Sequence, residues 1–296
     1  MERRPTLHDV AREAQVSAKT VSRVLNGEGP VAAATRERVL AVVARLGFRP
    51  NLMARSIRTG GPDSTVGLVL PELGNPFFGA LADGVEEAVR GRGLTVLLGC
   101  SGGDRAREAE VVGAFLARRT SALLVVPAGG GGTLAAAAGA GVPLVYLDRP
   151  GPGADCVVSS NRAGARAGVA HLAAAGLPAP DALVAGARTA AAAERAALAL
   201  LALPEPPTAL FASNVNAATG ALLALGRSGR RDVALLSFDD LPLAEVLEPP
   251  LSAVAQDPAL LGATAARLAL ARLDGDATPP RTETVATRLV LRPARP

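Results

Sequence analysis

The sequence is poor in aromatic residues. Its 296 residues include no Trp, one Tyr and six Phe, so aromatic residues make up 2% of the chain. Proteins that bind single-stranded nucleic acid stack the bases on aromatic side chains, so the composition argues against that mode of binding. Because 49% of the residues are hydrophobic, a core can form, but it must be built from Ala, Val and Leu.

Cysteine and histidine are nearly absent. The two cysteines, Cys100 and Cys156, lack C-x-x-C spacing, and the two histidines, His8 and His171, are not near them in the sequence. This distribution predicts neither a disulfide scaffold nor a metal site.

The sequence also lacks signals for secretion or membrane insertion. The first ten residues have no apolar signal-peptide core, which predicts a cytoplasmic protein. Residues 121–147 carry no charge and are long enough to cross a bilayer. Pro127, Pro143 and four consecutive glycines would break the required helix, so we expect no membrane span.

Positive charge is concentrated at one end of the chain. Residues 1–60 hold eleven Lys/Arg and five Asp/Glu, a balance of +6, whereas the whole chain is +4, so the remainder is −2. A basic segment on a near-neutral body predicts a polyanionic partner, and nucleic acid is the usual one. The same segment contains Lys19, the single lysine of the chain.

Residues 1–50 have the periodicity of three short helices. Thr6 and Ser17 are predicted N-caps of the first two, and Thr35 is predicted to start the third. A turn of two residues separates the first two helices. Helices joined so tightly predict a helix-turn-helix unit.

The outward face of the second helix carries two cations. In a major groove, Lys19 and Arg23 near the start of the helix could reach guanine O6 and N7. A solvated basic helix face is the alternative, but the N-cap, the tight turn and the localised charge together favour DNA recognition.

From Val66 onward, apolar runs alternate with Ala-rich helical stretches. The runs are continuous, which is typical of parallel strands covered on both faces. They predict an α/β core of two doubly wound parallel-sheet subdomains with a cleft between them. The predicted domains are the helix-turn-helix domain 1–50, a linker 51–63 and the core 64–296.

One motif suggests catalysis. GCSGG, residues 99–103, matches the G-x-S-x-G pattern of serine hydrolases. Ser101 would need a histidine base, and the candidates are His8, in the first helix, and His171, in an Ala-rich helix. A glycine-rich turn is favoured. A sugar-binding or serine-hydrolase-like α/β protein with an incidental basic arm remains the alternative class.

Longer segments resemble the lactose-repressor/galactose-repressor (LacI/GalR) family of bacterial transcription regulators. The segments that resemble its DNA-binding domain are TLHDVAREAQVSAKTVSRVLNG and TRERVLAVVARLGFRPNLMARSI. The segments that resemble its periplasmic-binding-protein-like core are VGLVLPELGNPFFGALADGVEEA, VPLVYLDRP, PPTALFASN and VALLSFDD. The resemblance covers nearly the whole chain. It implies a non-enzymatic repressor without metal or cofactor, which binds near-palindromic double-stranded operator DNA as a homodimer or higher oligomer.

The resemblance also implies residue roles. Ala18, Lys19 and Arg23 match base-contacting positions, and Asn51–Arg58 matches a hinge helix whose Ile57 would wedge into the minor groove, unless Ile57 packs within the linker. The DNA-binding residues expected in all are Thr6, Ser17, Ala18, Lys19, Thr20, Ser22, Arg23, Asn26, Asn51, Ala54, Arg55 and Ile57.

In this family the cleft binds a small effector, commonly a sugar or nucleobase. The matching positions here are Asn75, Phe77, Phe78, Arg149, Asn214 and Asp239. Phe77 and Phe78 could equally be core residues.

The sequence departs from the family after Gly176, where LPAPDALVAG follows at once. The family usually has a further strand and helix there, which carry an arginine for the effector. Val215 replaces a usual acidic residue, and Ser160 stands where Asp is frequent. We expect a second subdomain that either has a reduced sheet with DALVAG moved inward or is less stable than the first.

Overall fold

The computed structural model describes residues 5–48, 64–129, 139–177, 183–187 and 189–292. The chain divides into two compact units, Met1–Asp63 and Ser64–Pro296. Among the described helices, none is both long enough and apolar enough to cross a membrane.

The first unit contains three helices: α1 (Leu7–Glu13), α2 (Ala18–Asn26) and α3 (Ala33–Leu46). Thr6 caps α1 in a capping box, because its hydroxyl accepts a hydrogen bond from Asp9 N at 3.3 Å while the Asp9 carboxylate accepts one from Thr6 N at 2.9 Å. The hydroxyl of Ser17 accepts a hydrogen bond from Thr20 N at 3.1 Å and caps α2. Both predicted N-caps are confirmed.

The third helix differs from the prediction. It begins at Ala33, so the prediction that Thr35 starts it is wrong. Alanine has the highest helix propensity, and the alanines before Thr35 extend the helix backwards without a side-chain cap. Val10, Val21 and Val39, one from each helix, are fully buried and form the centre of the unit.

The second unit is built from alternating strands and helices. In chain order they are β1 (Thr65–Leu70), α4 (Pro76–Arg90), β2 (Thr95–Cys100), α5 (Arg105–Ala117), β3 (Ala122–Val125), β4 (Leu144–Leu147), β5 (Asp155–Ser159), α6 (Asn161–Ala174), α7 (Ala190–Leu201), β6 (Ala209–Ala212), α8 (Val215–Ser228), β7 (Ala234–Phe238), β8 (Ser252–Ala255), α9 (Pro258–Leu273), β9 (Thr282–Val285) and β10 (Arg288–Val290).

The first lobe is a parallel sheet of six strands in the order β2-β1-β3-β4-β5-β9. Helices α4 and α9 cover one face and α5 the other, which gives two apolar layers. Glycines allow α4 and α9 to pack closely. A Cβ on Gly84 would collide with the carbonyl oxygen of Ala259, and a Cβ on Gly262 would collide with that of Leu81.

The second lobe has four strands in the order β10-β8-β7-β6, parallel except that β10 runs antiparallel to β8. The predicted pair of doubly wound sheets is therefore confirmed. Residues 183–187 form no strand, and Leu183 is 93% exposed, so the hypothesis that DALVAG moves inward is wrong. An added strand needs a helix to cover its face. The next helix, α7, instead packs along α8, where Gly220 admits the backbone of Ala190.

The chain crosses between the lobes three times: from β5 to α6, from β8 to α9, and from β9 to β10. Ser160 and Thr287 connect the first and third crossings. Thr287 N donates to Ser160 Oγ at 2.9 Å, and the two hydroxyls lie 3.1 Å apart. Two of the three segments that connect the lobes are therefore held together by hydrogen bonds.

Candidate functional site

The outer face of α2 carries the cations predicted to contact DNA. Lys19 and Arg23 are exposed, whereas Val21 and Val24 on the opposite face are at most 5% exposed and pack into the core. Lys19 lies in the first turn, two residues after the N-cap Ser17. Burial of the apolar face therefore directs both cations outward.

Other cations of this unit serve contacts inside it. Arg45 Nη2 lies 2.6 Å from Glu13 Oε1, and Arg38 Nε donates to a backbone carbonyl after α1 at 3.0 Å. Among the residues that the structure describes, Lys19 and Arg23 have no such partner. They are available to an acceptor outside the protein.

The remaining predicted DNA contacts fall into two groups. Thr6 and Ser17 are exposed caps, and Ala18, Thr20 and Ser22 are half-buried. The predicted contacts that lie outside the described part are the side chain of Asn26 and the residues Asn51, Ala54, Arg55 and Ile57.

A cavity of about 510 Å³ lies between the two lobes of the second unit. It is at the carboxyl ends of the strands, where ligands of open α/β sheets usually bind. All six residues predicted for the cleft line it: Asn75, Phe77, Phe78, Arg149, Asn214 and Asp239.

Helix starts position four of these residues. Asn75 caps α4 by accepting a hydrogen bond from Phe77 N at 3.0 Å, and Asn214 caps α8 by accepting one from Ala217 N at 2.9 Å. Phe77 and Phe78 follow at the start of α4, with their rings edge to face at 5.3 Å. Both rings are less than 10% exposed and belong to the core cluster of the first lobe, so they are core residues and also line the cavity.

Two aspartates line the cavity, one from each lobe. Asp148 directly follows β4 and Asp239 directly follows β7, and both have left-handed backbones with φ of 63° and 74°. This region is costly for most residues, although Asp tolerates it better than most. Burial raises the pKa of Asp148, and the charge of Arg149 counteracts part of the rise. Burial also raises the pKa of Asp239 to about 6. The hydrogen bond from Gln256 lowers this pKa, and the negative charge of Asp148 raises it further.

Several cavity residues were not predicted from the sequence. Among them are Glu72, Asp148, Asn161, Asn216 and Gln256. Asp148 and Gln256 carried a usable signal, because each is the first polar residue after an apolar strand, LVYL or SAVA. Parallel strands bring such residues to one edge of a sheet, and Asp239 follows its strand in the same way.

A buried glutamate supports the rim of the cavity in the first lobe. Glu108 of α5 is 3% exposed, and its Oε2 accepts a hydrogen bond from Ala128 N at 2.5 Å. Arg149 Nη1 donates to the preceding carbonyl, Pro127 O, at 3.1 Å. Burial raises the pKa of Glu108, opposed by the Ala128 hydrogen bond and the charges of Arg149 and Arg105. Glu108 and Arg149 therefore both bind the segment that follows β3, Glu108 at Ala128 N and Arg149 at Pro127 O.

Comparison with known proteins identifies the chain. Residues 6–51 match the family described as bacterial regulatory proteins, lacI family, while residues 66–179 and 154–293 match periplasmic binding protein and periplasmic binding protein-like domains. The ribose operon repressor of Halalkalibacterium halodurans is 30% identical over 97% of this chain and 96% of its own length. The chain belongs to the lacI family of bacterial regulatory proteins. It is a DNA-binding transcriptional regulator.

Two further comparisons cover nearly the whole of this lacI-family chain. The regulator CelR of Thermobifida fusca is 32% identical over 98% of each chain. A crystal structure of the lac repressor dimer bound to operator and the anti-inducer ONPF superposes with a TM-score of 0.86 at 26% identity, over 98% of each chain. The match to CelR extends over 336 positions, more than the 296 residues of this chain, so CelR contains residues that this chain lacks.

The hydrolase alternative is wrong for this lacI-family protein, which is a regulator and not an enzyme. Ser101 of the G-x-S-x-G motif is fully buried. Its hydroxyl donates to Leu70 O at 3.3 Å and accepts a hydrogen bond from Gly103 N at 3.3 Å. The motif is therefore a structural glycine turn between β2 and α5.

Proposed function

We propose that this regulator represses transcription in the cytoplasm by binding a near-palindromic operator as a homodimer. The observation that carries the proposal is the pair Lys19 and Arg23, which are four residues apart on one face of a capped helix and exposed. Such cations can donate to guanine O6 and N7 in a major groove. We assign Ala18 to base contact as well, and the remaining predicted contacts between Thr6 and Ile57 to the DNA backbone and the minor groove.

Exposed apolar side chains support a dimer. Leu73, Leu243 and Val246 are 59%, 68% and 65% exposed, and in the loop after β7 Val246 N donates a hydrogen bond to Leu243 O at 3.1 Å. Clusters of exposed apolar side chains mark protein interfaces. The lac repressor superposed above is a dimer on its operator. In such a dimer, two α2 helices would meet successive major grooves about 34 Å apart.

For the cleft we propose a sugar-like effector. Its lining combines amides and carboxylates with the rings of Phe77 and Phe78, as polyhydroxylated ligands require. One relative is named ribose operon repressor, and a solved structure at 29% identity and TM-score 0.67 is a CelR–cellobiose complex. A ligand that binds both lobes would favour one lobe arrangement, and by linkage it would change the affinity for operator.

Fluorescence anisotropy with the full chain tests the DNA part of this proposal. The duplex is first selected from a random pool and then compared with a scrambled duplex of the same composition. Lys19→Ala or Arg23→Ala should weaken binding to the selected duplex by about 1–3 kcal/mol and relax the sequence preference.

Arg36→Ala is the matched control, because it removes an exposed arginine from α3 rather than α2. This variant should keep the preference for the selected duplex, whatever it does to overall affinity. If all three variants lost affinity equally for both duplexes, α2 would supply charge alone and the proposed role of its face would be wrong.

A further inference from the structure

One wall of the cleft has more hydrogen-bond acceptors than donors. Gln256 Nε2 donates to Asp239 Oδ1 at 2.6 Å. The other amide atom, Gln256 Oε1, is buried and has no hydrogen-bond donor among the described residues. Rotating the amide would place an oxygen against the Asp239 carboxylate, so the observed orientation is the favourable one. Asp239, which lines the cavity, therefore keeps acceptor capacity for whatever fills it, beyond its one hydrogen bond from Gln256.

The charge of the cleft lining is also unbalanced. Glu72, Asp148 and Asp239 line the cavity with negative charge, and Arg149 is the single cation among the lining residues that the structure describes. The Arg149 side chain is half exposed, and its Nε lies 3.7 Å from Asp148 Oδ2. Its Nη1 already donates a hydrogen bond to Pro127 O. Asp239 is 8% exposed and has no cationic partner within the described part of the chain.

Buried carboxylates in proteins are normally paired with a cation, because desolvation of an unpaired charge is costly. A neutral hydroxyl can satisfy one acceptor at a time but leaves the charge of Asp239 uncompensated when a ligand displaces water. A primary ammonium has three donors and no acceptor, and it carries the missing charge. A phosphate or carboxylate would add a further negative charge to this wall.

We propose that the cleft binds a ligand with a primary ammonium group, such as an amino sugar, which donates to the Asp239 carboxylate, with Asp148 lining the same cavity. This inference rests on the proposed effector function of the cleft. The two left-handed aspartates then line the ligand from both lobes. The polyhydroxylated body of the ligand contacts the amides and the phenylalanine rings.

Isothermal titration calorimetry of the full chain tests the proposal with matched ligands. The pairs are glucosamine with glucose and galactosamine with galactose, supplemented by ribose, cellobiose, N-acetylglucosamine and glucose 6-phosphate. Charge-assisted hydrogen bonds to a desolvated carboxylate are stronger than neutral ones, so the amine of at least one pair should bind about tenfold more tightly than its hydroxyl partner. N-acetylation should remove the gain, and the phosphate should bind most weakly.

Asp239→Asn should abolish the preference for the amine, whereas Asp232→Asn, which removes an exposed carboxylate paired with Arg230, should preserve it. Equal or tighter binding of the hydroxyl member, or binding of ribose or cellobiose without binding of either amine, would overturn the ammonium assignment and leave a sugar effector in place. Absence of binding by every compound, with operator binding intact, would instead remove the proposed effector function and this inference with it.

Discussion

Replacing Asp239 by Asn should stabilise the ligand-free protein at neutral pH. The Asp239 carboxylate is nearly buried, and its hydrogen-bond donor is the amide of Gln256 at 2.6 Å rather than a cation. An asparagine retains an oxygen that can accept the same hydrogen bond but carries no charge. The substitution therefore removes the desolvation cost of the ionised group while it keeps the local geometry.

The magnitude follows from the pKa of Asp239, which rises from 3.8 to about 6 on folding. Each pKa unit corresponds to about 1.4 kcal/mol, so the ionised carboxylate costs the folded state about 3 kcal/mol. Because the folded pKa is the higher one, this cost is absent below about pH 4 and complete above about pH 6. The asparagine amide has its own desolvation cost, so the expected gain at pH 7.5 is about 1–3 kcal/mol.

Denaturant unfolding followed by circular dichroism measures this gain, since the chain has no Trp and a single Tyr. Between pH 7.5 and pH 5 the stabilisation by Asp239→Asn should fall by about 1.4 kcal/mol. Asp240→Asn is the control with opposite sign, because Asp240 accepts hydrogen bonds from both terminal nitrogens of Arg292 at 2.9 and 2.8 Å. A destabilised Asp239→Asn protein at pH 7.5, or a gain that does not change with pH, would refute the reasoning.

The remaining predictions concern packing and the shortened lobe. Gly84→Ala should destabilise the protein by several kcal/mol in denaturant unfolding, because the added Cβ would collide with the backbone of α9. Gly79→Ala on the same helix has open space around the added Cβ and should be neutral or stabilising. Equal effects of the two substitutions would contradict the close contact between α4 and α9. In hydrogen exchange, residues 189–238 should exchange faster than residues 64–129, because β6 ends its sheet and its first three residues are only half-buried. Equal, high protection in both regions would show that the second lobe is as stable as the first.

Local signals allowed much of the fold to be predicted from the sequence. Thr6 and Ser17 are caps because their hydroxyls bond backbone N–H groups within three residues, an interaction that depends on little else. Continuous apolar runs predicted parallel strands, and their shared carboxyl edge explains why the six predicted cleft residues line one cavity. Asp148 and Gln256 follow the same rule and could have been predicted.

Other features depend on contacts that the local sequence does not contain. DALVAG has the composition of a strand, but residues 183–187 form none, and the helix that follows packs on α8. Glu108 lies in an ordinary helical stretch, and its bond to Ala128 becomes apparent once α5 is packed against the sheet. Tertiary contacts decide both cases, whereas strand propensity and helix periodicity do not.

The most direct test of the account is the ratio of affinities of the full chain for its selected duplex and for a scrambled duplex at physiological salt. If the face of α2 contacts bases, the selected duplex should bind at least about 10³-fold more tightly. Lys19→Ala should reduce that ratio by about tenfold or more. Equal affinity for both duplexes, or a ratio that Lys19→Ala leaves unchanged, would contradict the central claim that this helix recognises an operator.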